Sequence, residues 1–113
     1  MDLSHNTKSN VLVVTLEGNH LDAKETPSFK KKVADLIEQE QVTKAVFDLH
    51  RLEFIDSSGL GAFLSILKNL HGKGGDLKLS GMNKTIRTMF ELVCMHKIFE
   101  IFHSPDEALR SFE

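Results

Sequence analysis

Apolar positions along the chain fall into short β-branched runs separated by helical stripes. From Val11 the chain reads VLVVTLEG, which predicts a strand over 11–17 that stops at Gly18. Leu3 to Thr7 alternates more weakly and is a candidate partner strand, with Lys8-Ser9-Asn10 as the hairpin turn. Thr26-Pro27 marks a helix start, with Thr26 as N-cap and Pro27 at the first helical position, where its missing N–H has no intrahelical partner to lose. Phe29, Val33, Leu36 and Ile37 then fall on one face of a helix ending near Gln39. KAVFDL at 44–49 predicts a strand in a sheet covered by helices.

After Arg51-Leu52-Glu53-Phe54-Ile55 comes Asp56-Ser57-Ser58-Gly59-Leu60-Gly61, followed by a long helix. Leu60, Phe63, Leu64, Leu67 and His71 recur in it by threes and fours, and Gly72 stands where a left-handed C-cap belongs. Gly72 to Asp76 is then a turn, and Leu77 and Leu79 belong to a short strand ending at Ser80-Gly81. Asn83 caps a helix with Ile86, Met89, Phe90 and Val93 on one face, running to about Val93. Ile98 to Phe102 is one more strand-like run. Ser104-Pro105-Asp106-Glu107 combines a cap, a first-position proline and a capping-box glutamate, and so begins a last helix that ends with the chain.

Helices alternating with strands imply crossover connections and a parallel sheet, with an antiparallel pair at the N-terminal edge. The expected fold is a single α/β domain over residues 1–113, with a mixed, mostly parallel sheet of about four to five strands and about four helices.

Composition narrows the function. With 41% hydrophobic and 27% charged residues the chain is an ordinary globular protein. A net charge of −2 supplies no basic field for nucleic acid or an anionic membrane, and no apolar run is long enough to span one. A lone cysteine, Cys94, makes no internal disulfide and no zinc site, which suits a reducing cytoplasm, and Cys94 reads as a small buried apolar residue. Phe occurs eight times while Tyr and Trp are absent, so the aromatic residues read as core. Met82, Met89 and Met95 read as core filling. The histidines at 5, 20, 50, 71, 96 and 103 include no pair at the helical metal-site spacing; His20 and His50 fall in turns near strand ends. No metal and no cofactor is expected.

The chemistry concentrates at residues 56–61. A polar strand-to-helix turn is where α/β proteins place reactive groups, and the first helical turn offers unpaired N–H groups and a positive dipole end. From spacing alone, Asp56 or Ser57 reads equally well as a simple helix N-cap. A nucleophile elbow is missing, because Ile55 and Asp56 stand two residues before the serines where glycine is required. The phosphate-loop patterns are also missing. Asp56 as a receiver-type phosphoacceptor lacks an acidic pair earlier in the chain to hold its metal. The chain is therefore not expected to be an enzyme.

The stretch Phe54-Ile55-Asp56-Ser57-Ser58-Gly59-Leu60-Gly61-Ala62 resembles the signature of STAS-domain anti-sigma factor antagonists. The resemblance extends to Gly18–Asp22, similar to the family's turn before its first helix, to the central strand at 44–49, and to Met89–Phe102, similar to its third helix and last strand. Asn19-His20 lengthen the first turn, and Cys94-Met95 stand where a small residue or glycine is common. The resemblance implies a phosphoacceptor at Ser57, with Ser58 the runner-up, and a partner surface of Leu21, Asp22, Asp56, Ser57, Ser58, Gly59, Leu60 and Gly61. It implies partner switching: the dephosphorylated protein binds an anti-sigma factor, a serine kinase with the histidine-kinase-like ATPase fold, and a metal-dependent serine phosphatase resets the switch. One phosphate, at about −1.5 to −2, would roughly double the net charge. A second possibility keeps the fold as an interaction subunit of a lipid or anion transport assembly, although such a subunit needs no phosphorylatable serine.

Overall fold

The computed structural model describes residues 1–113. Strands β1 (Leu3–Lys8) and β2 (Val11–Leu16) form an antiparallel hairpin, with Ser9 and Asn10 both at positive φ in a tight turn that matches the twist of the strands. Then follow β3 (His20–Leu21), α1 (Thr26–Glu40), β4 (Lys44–Asp48), β5 (Phe54–Ile55), α2 (Ser57–Gly72), β6 (Asp76–Ser80), α3 (Lys84–Leu92), β7 (Ile101–Phe102) and α4 (Pro105–Arg110). The main sheet has the order β1-β2-β4-β6-β7 and is parallel from β2 onward, so the α/β fold, the mixed sheet and its antiparallel edge are as the pattern implies.

Side-chain alternation divides the interior. Leu12, Val14 and Leu16 of β2, Ala45 and Phe47 of β4, and Leu77 and Leu79 of β6 join the buried faces of α1, α2 and α3 in one large core. Phe29, Phe47 and Phe63 meet edge to face at centroid distances of 5.4 to 6.1 Å, and Phe63, Phe90 and Phe99 continue the aromatic series. Such pairs contribute about 0.5–1.5 kcal/mol each beyond simple burial. The opposite face of the sheet presents Val11, Val13 and Val46 to Ala108 of α4.

Several local expectations are corrected. Thr26 is not the N-cap of α1; Glu25 holds that position without a side-chain cap bond, and the helix is entered through a turn at residues 22–25 in which Asp22 Oδ1 accepts from the N–H groups of Lys24 and Glu25 at 3.0 Å each. The Thr26 hydroxyl instead donates to the Asp22 carbonyl at 2.8 Å. Gly72 ends α2 in helical conformation, and the left-handed residue is Gly74, with φ of 78°. Strand character in the 98–102 run is confined to β7, because a 3₁₀ turn at Met95–Lys97 intervenes and leaves Ile98 exposed. Val93 is exposed as well, because α3 stops at Leu92. Cys94 is exposed rather than buried and adopts φ of 59°, the left-handed region, which gives a physical reason for glycine to suit this position. Of the eight Phe, Phe54 is solvent-exposed and Phe102 and Phe112 are half-buried.

Candidate functional site

Two segments far apart in sequence meet at the C-terminal edge of the parallel strands. β3 and β5 pair in parallel as a separate two-stranded sheet, with His20 opposite Phe54 and Leu21 opposite Ile55. The sequence pattern does not predict this small sheet, because runs of two residues carry no periodicity. It sets the loop after β3 beside the start of α2.

Asp56 joins the two. Its backbone N–H donates to the Leu21 carbonyl at 3.3 Å. Its Oδ1 accepts from Gly59 N–H at 3.1 Å, the N-cap bond of α2, and its Oδ2 accepts from Ala23 N–H at 3.0 Å. The carboxylate thus satisfies a helix-end donor and a loop donor at once. The simple capping role of Asp56 is real, and it also fixes the relation between the arms.

Gly59 is a point of close packing. A Cβ there would lie 2.7 Å from both the Leu21 carbonyl oxygen and Ile55 Cγ1, so the missing side chain admits the chain's own β3 rather than a partner. Gly61 faces open space.

Ser57 is exposed at the first position of α2, and Ser58 is half-buried behind it. Asp22 is half-buried, with its carboxylate committed to the turn before α1. Leu21 and Leu60 are buried at 0% and 5% exposure; together with Gly59 they support the surface from beneath and do not reach solvent. The fold therefore brings all eight expected residues together but leaves only some of them accessible. Phe54, 52% exposed and three residues before Ser57, is an accessible residue left out of the expected surface; its outward place on a two-residue strand whose Ile55 points in leaves no periodic signal in the sequence.

Nearby, the ammonium group of Met1 lies 2.6 Å from Glu25 and holds its carboxyl below the ordinary value, chiefly through that hydrogen bond and charge. His20 Nδ1 is 2.9 Å from Asn19 Oδ1, and His50 Nδ1 is 3.0 Å from Asp48. No helix is long and apolar enough to cross a membrane.

Residues 3–108 match the STAS domain family. The chain belongs to that family. It is 30% identical over 103 residues to the anti-sigma F factor antagonist of Paenibacillus polymyxa, covering 91% of this chain and 87% of that protein. A candidate anti-sigma factor antagonist of Thermotoga maritima superposes with a TM-score of 0.89 at 25% identity, over 96% of this chain and 92% of the other. The Bacillus cell fate determinant SpoIIAA in its phosphorylated form shares the STAS fold, with a TM-score of 0.75 at 23% identity, covering 99% and 100% of the two chains.

Proposed function

We propose that this STAS domain is an anti-sigma factor antagonist that acts by partner switching, with Ser57 as its phosphoacceptor. One observation carries the reading: Ser57 is exposed at the start of α2 while the backbone on either side of it is held by the Asp56 and Leu21 contacts. An exposed hydroxyl on a turn whose backbone is hydrogen-bonded in place suits a kinase substrate. The unpaired N–H groups and positive end of α2 partly offset a phosphate's charge, whereas the Asp56 carboxylate next to it opposes.

In the dephosphorylated state the surface of Asp22, Asp56, Ser57, Ser58 and Gly61 receives an anti-sigma factor, a serine kinase with the histidine-kinase-like ATPase fold, and its target is released. Leu21, Gly59 and Leu60 hold that surface in shape. The kinase brings its own magnesium and ATP, and the STAS domain is a binding protein without catalytic groups or cofactor. A phosphate carried into the interface costs several kcal/mol of desolvation unless cations meet it, and about 1.4 kcal/mol already weakens binding tenfold. A metal-dependent serine phosphatase in the same cytoplasm restores the binding form. Nucleic acid and membrane take no direct part.

Intact-mass measurement after incubation with an anti-sigma kinase and MgATP tests the site: one phosphate is expected on the parent and none on Ser57→Ala. Phosphate persisting on Ser57→Ala would overturn the assignment. By calorimetry Ser57→Ala should bind the kinase like the unphosphorylated parent, and Ser57→Asp at least about tenfold more weakly; equal binding by both excludes charge as the switch. Recovery of membrane transport subunits instead of a soluble kinase in a pulldown would favour the transport-assembly role.

A further inference from the structure

A second concave surface lies at the opposite end of the sheet from Ser57. Ser57 follows the C-terminal ends of the parallel strands, whereas this cavity of about 460 Å³ opens where Val11 starts β2 and Lys44 starts β4, under α4. Its apolar floor is Val11, Leu109 and Phe112, and Lys8, Lys44 and Arg110 stand around it. None of these three cations enters any of the molecule's ion pairs. The Phe112 ring is held in place, with Lys78 Nζ 4.1 Å and Lys44 Nζ 5.7 Å from its centroid. One wall is the β1–β2 turn beside Lys8, a two-residue turn with both residues at positive φ.

Asp106 and Glu113 also border the cavity, so its lining carries three positive and two negative side chains. That balance disfavours a polyanion and favours a single negative head. The volume lies within the range of small-molecule sites, about 300–1,000 Å³, which typically combine an apolar lining with a few polar groups. We propose that this cavity binds a small amphiphilic anion, one carboxylate, sulfonate or phosphate head on an apolar body, with the head among Lys8, Lys44 and Arg110 and the body against Val11, Leu109 and Phe112. The site is independent of the phosphoacceptor and does not rest on the partner-switching reading.

Anilinonaphthalene sulfonate, an aromatic monoanion, is the probe. Titrated into the full chain and followed by backbone amide NMR, it should shift residues 8–11, 44 and 106–113 while leaving residues 56–61 unmoved. The exposed pair Lys44→Gln with Arg110→Gln should weaken it at least about tenfold, and the control pair Lys68→Gln with Lys84→Gln, outside the cavity, should leave it unchanged. Neutral phenylnaphthylamine should bind at least about tenfold more weakly than the sulfonate. Shifts centred elsewhere, an affinity indifferent to the Lys44 and Arg110 changes in a variant whose amide spectrum remains native, or equal binding of the neutral probe would each overturn the proposal.

Discussion

Asp56 and Ala23, 33 positions apart, are joined by a single hydrogen bond of 3.0 Å from the Ala23 N–H to the Asp56 carboxylate. The other oxygen of the same carboxylate caps α2 through Gly59. Asp56→Ala removes both acceptors and is expected to destabilise the fold by about 2 kcal/mol, toward the upper end for loss of a cap. Asp56→Asn keeps one acceptor oxygen and should cost about half of that. Urea denaturation measures both, and amide exchange at Ala23 should accelerate in each variant. A neutral result for Asp56→Ala would show that the clasp carries no stability.

Gly59 and Gly61 should respond oppositely to the same change. Gly59→Ala drives a methyl group toward the Leu21 carbonyl and Ile55, and should destabilise by about 1–3 kcal/mol as the small sheet is pushed away. Gly61→Ala meets nothing and should stabilise α2 by up to about 1 kcal/mol through helix propensity. Thermal unfolding of the two variants compares them directly, and equal shifts would refute the close-approach explanation.

Lys78 is 5% exposed on the α4 face, with its ammonium 2.7 Å from Ser111 Oγ and 3.6 Å from Glu100. Replacing a buried charge by an apolar chain of similar volume is often tolerated, whereas deleting the chain leaves a cavity. Lys78→Met should therefore lie within about 1 kcal/mol of the parent, and Lys78→Ala should lose about 2 kcal/mol. Both should loosen residues 111–113, seen as faster amide exchange there.

The two asparagine and serine caps should differ in cost. Asn83 both accepts from Ile86 N–H at 2.9 Å and donates to the Leu52 carbonyl at 3.0 Å, tying α3 to the segment before β5. Ser104 only accepts from Glu107 N–H, at 3.3 Å. Asn83→Ala is expected to cost about 2 kcal/mol and Ser104→Ala about 0.5–1 kcal/mol in chemical denaturation. The reverse order would mean that the Leu52 bond contributes nothing.

Features that depend on near neighbours were legible in the residues: the β2 and β4 runs, the α1 stripe of Phe29, Val33 and Ile37, the caps Asn83 and Ser104, and the Asp56–Gly61 turn into α2. Periodicity and capping act over a few positions, so a linear reading detects them, and the Asp-Ser-Ser-Gly string carried the family as well. Relations across long separations were decided by the tertiary structure. The pairing of β3 with β5, the use of Gly59 to admit Leu21, and the bond from Ala23 to Asp56 each join residues more than thirty positions apart. The same packing turned Leu21 and Leu60 inward and left Ser57 and Phe54 facing solvent. A motif names the residues that gather at such a site, while burial, which depends on every element packed around it, selects the ones a partner can touch.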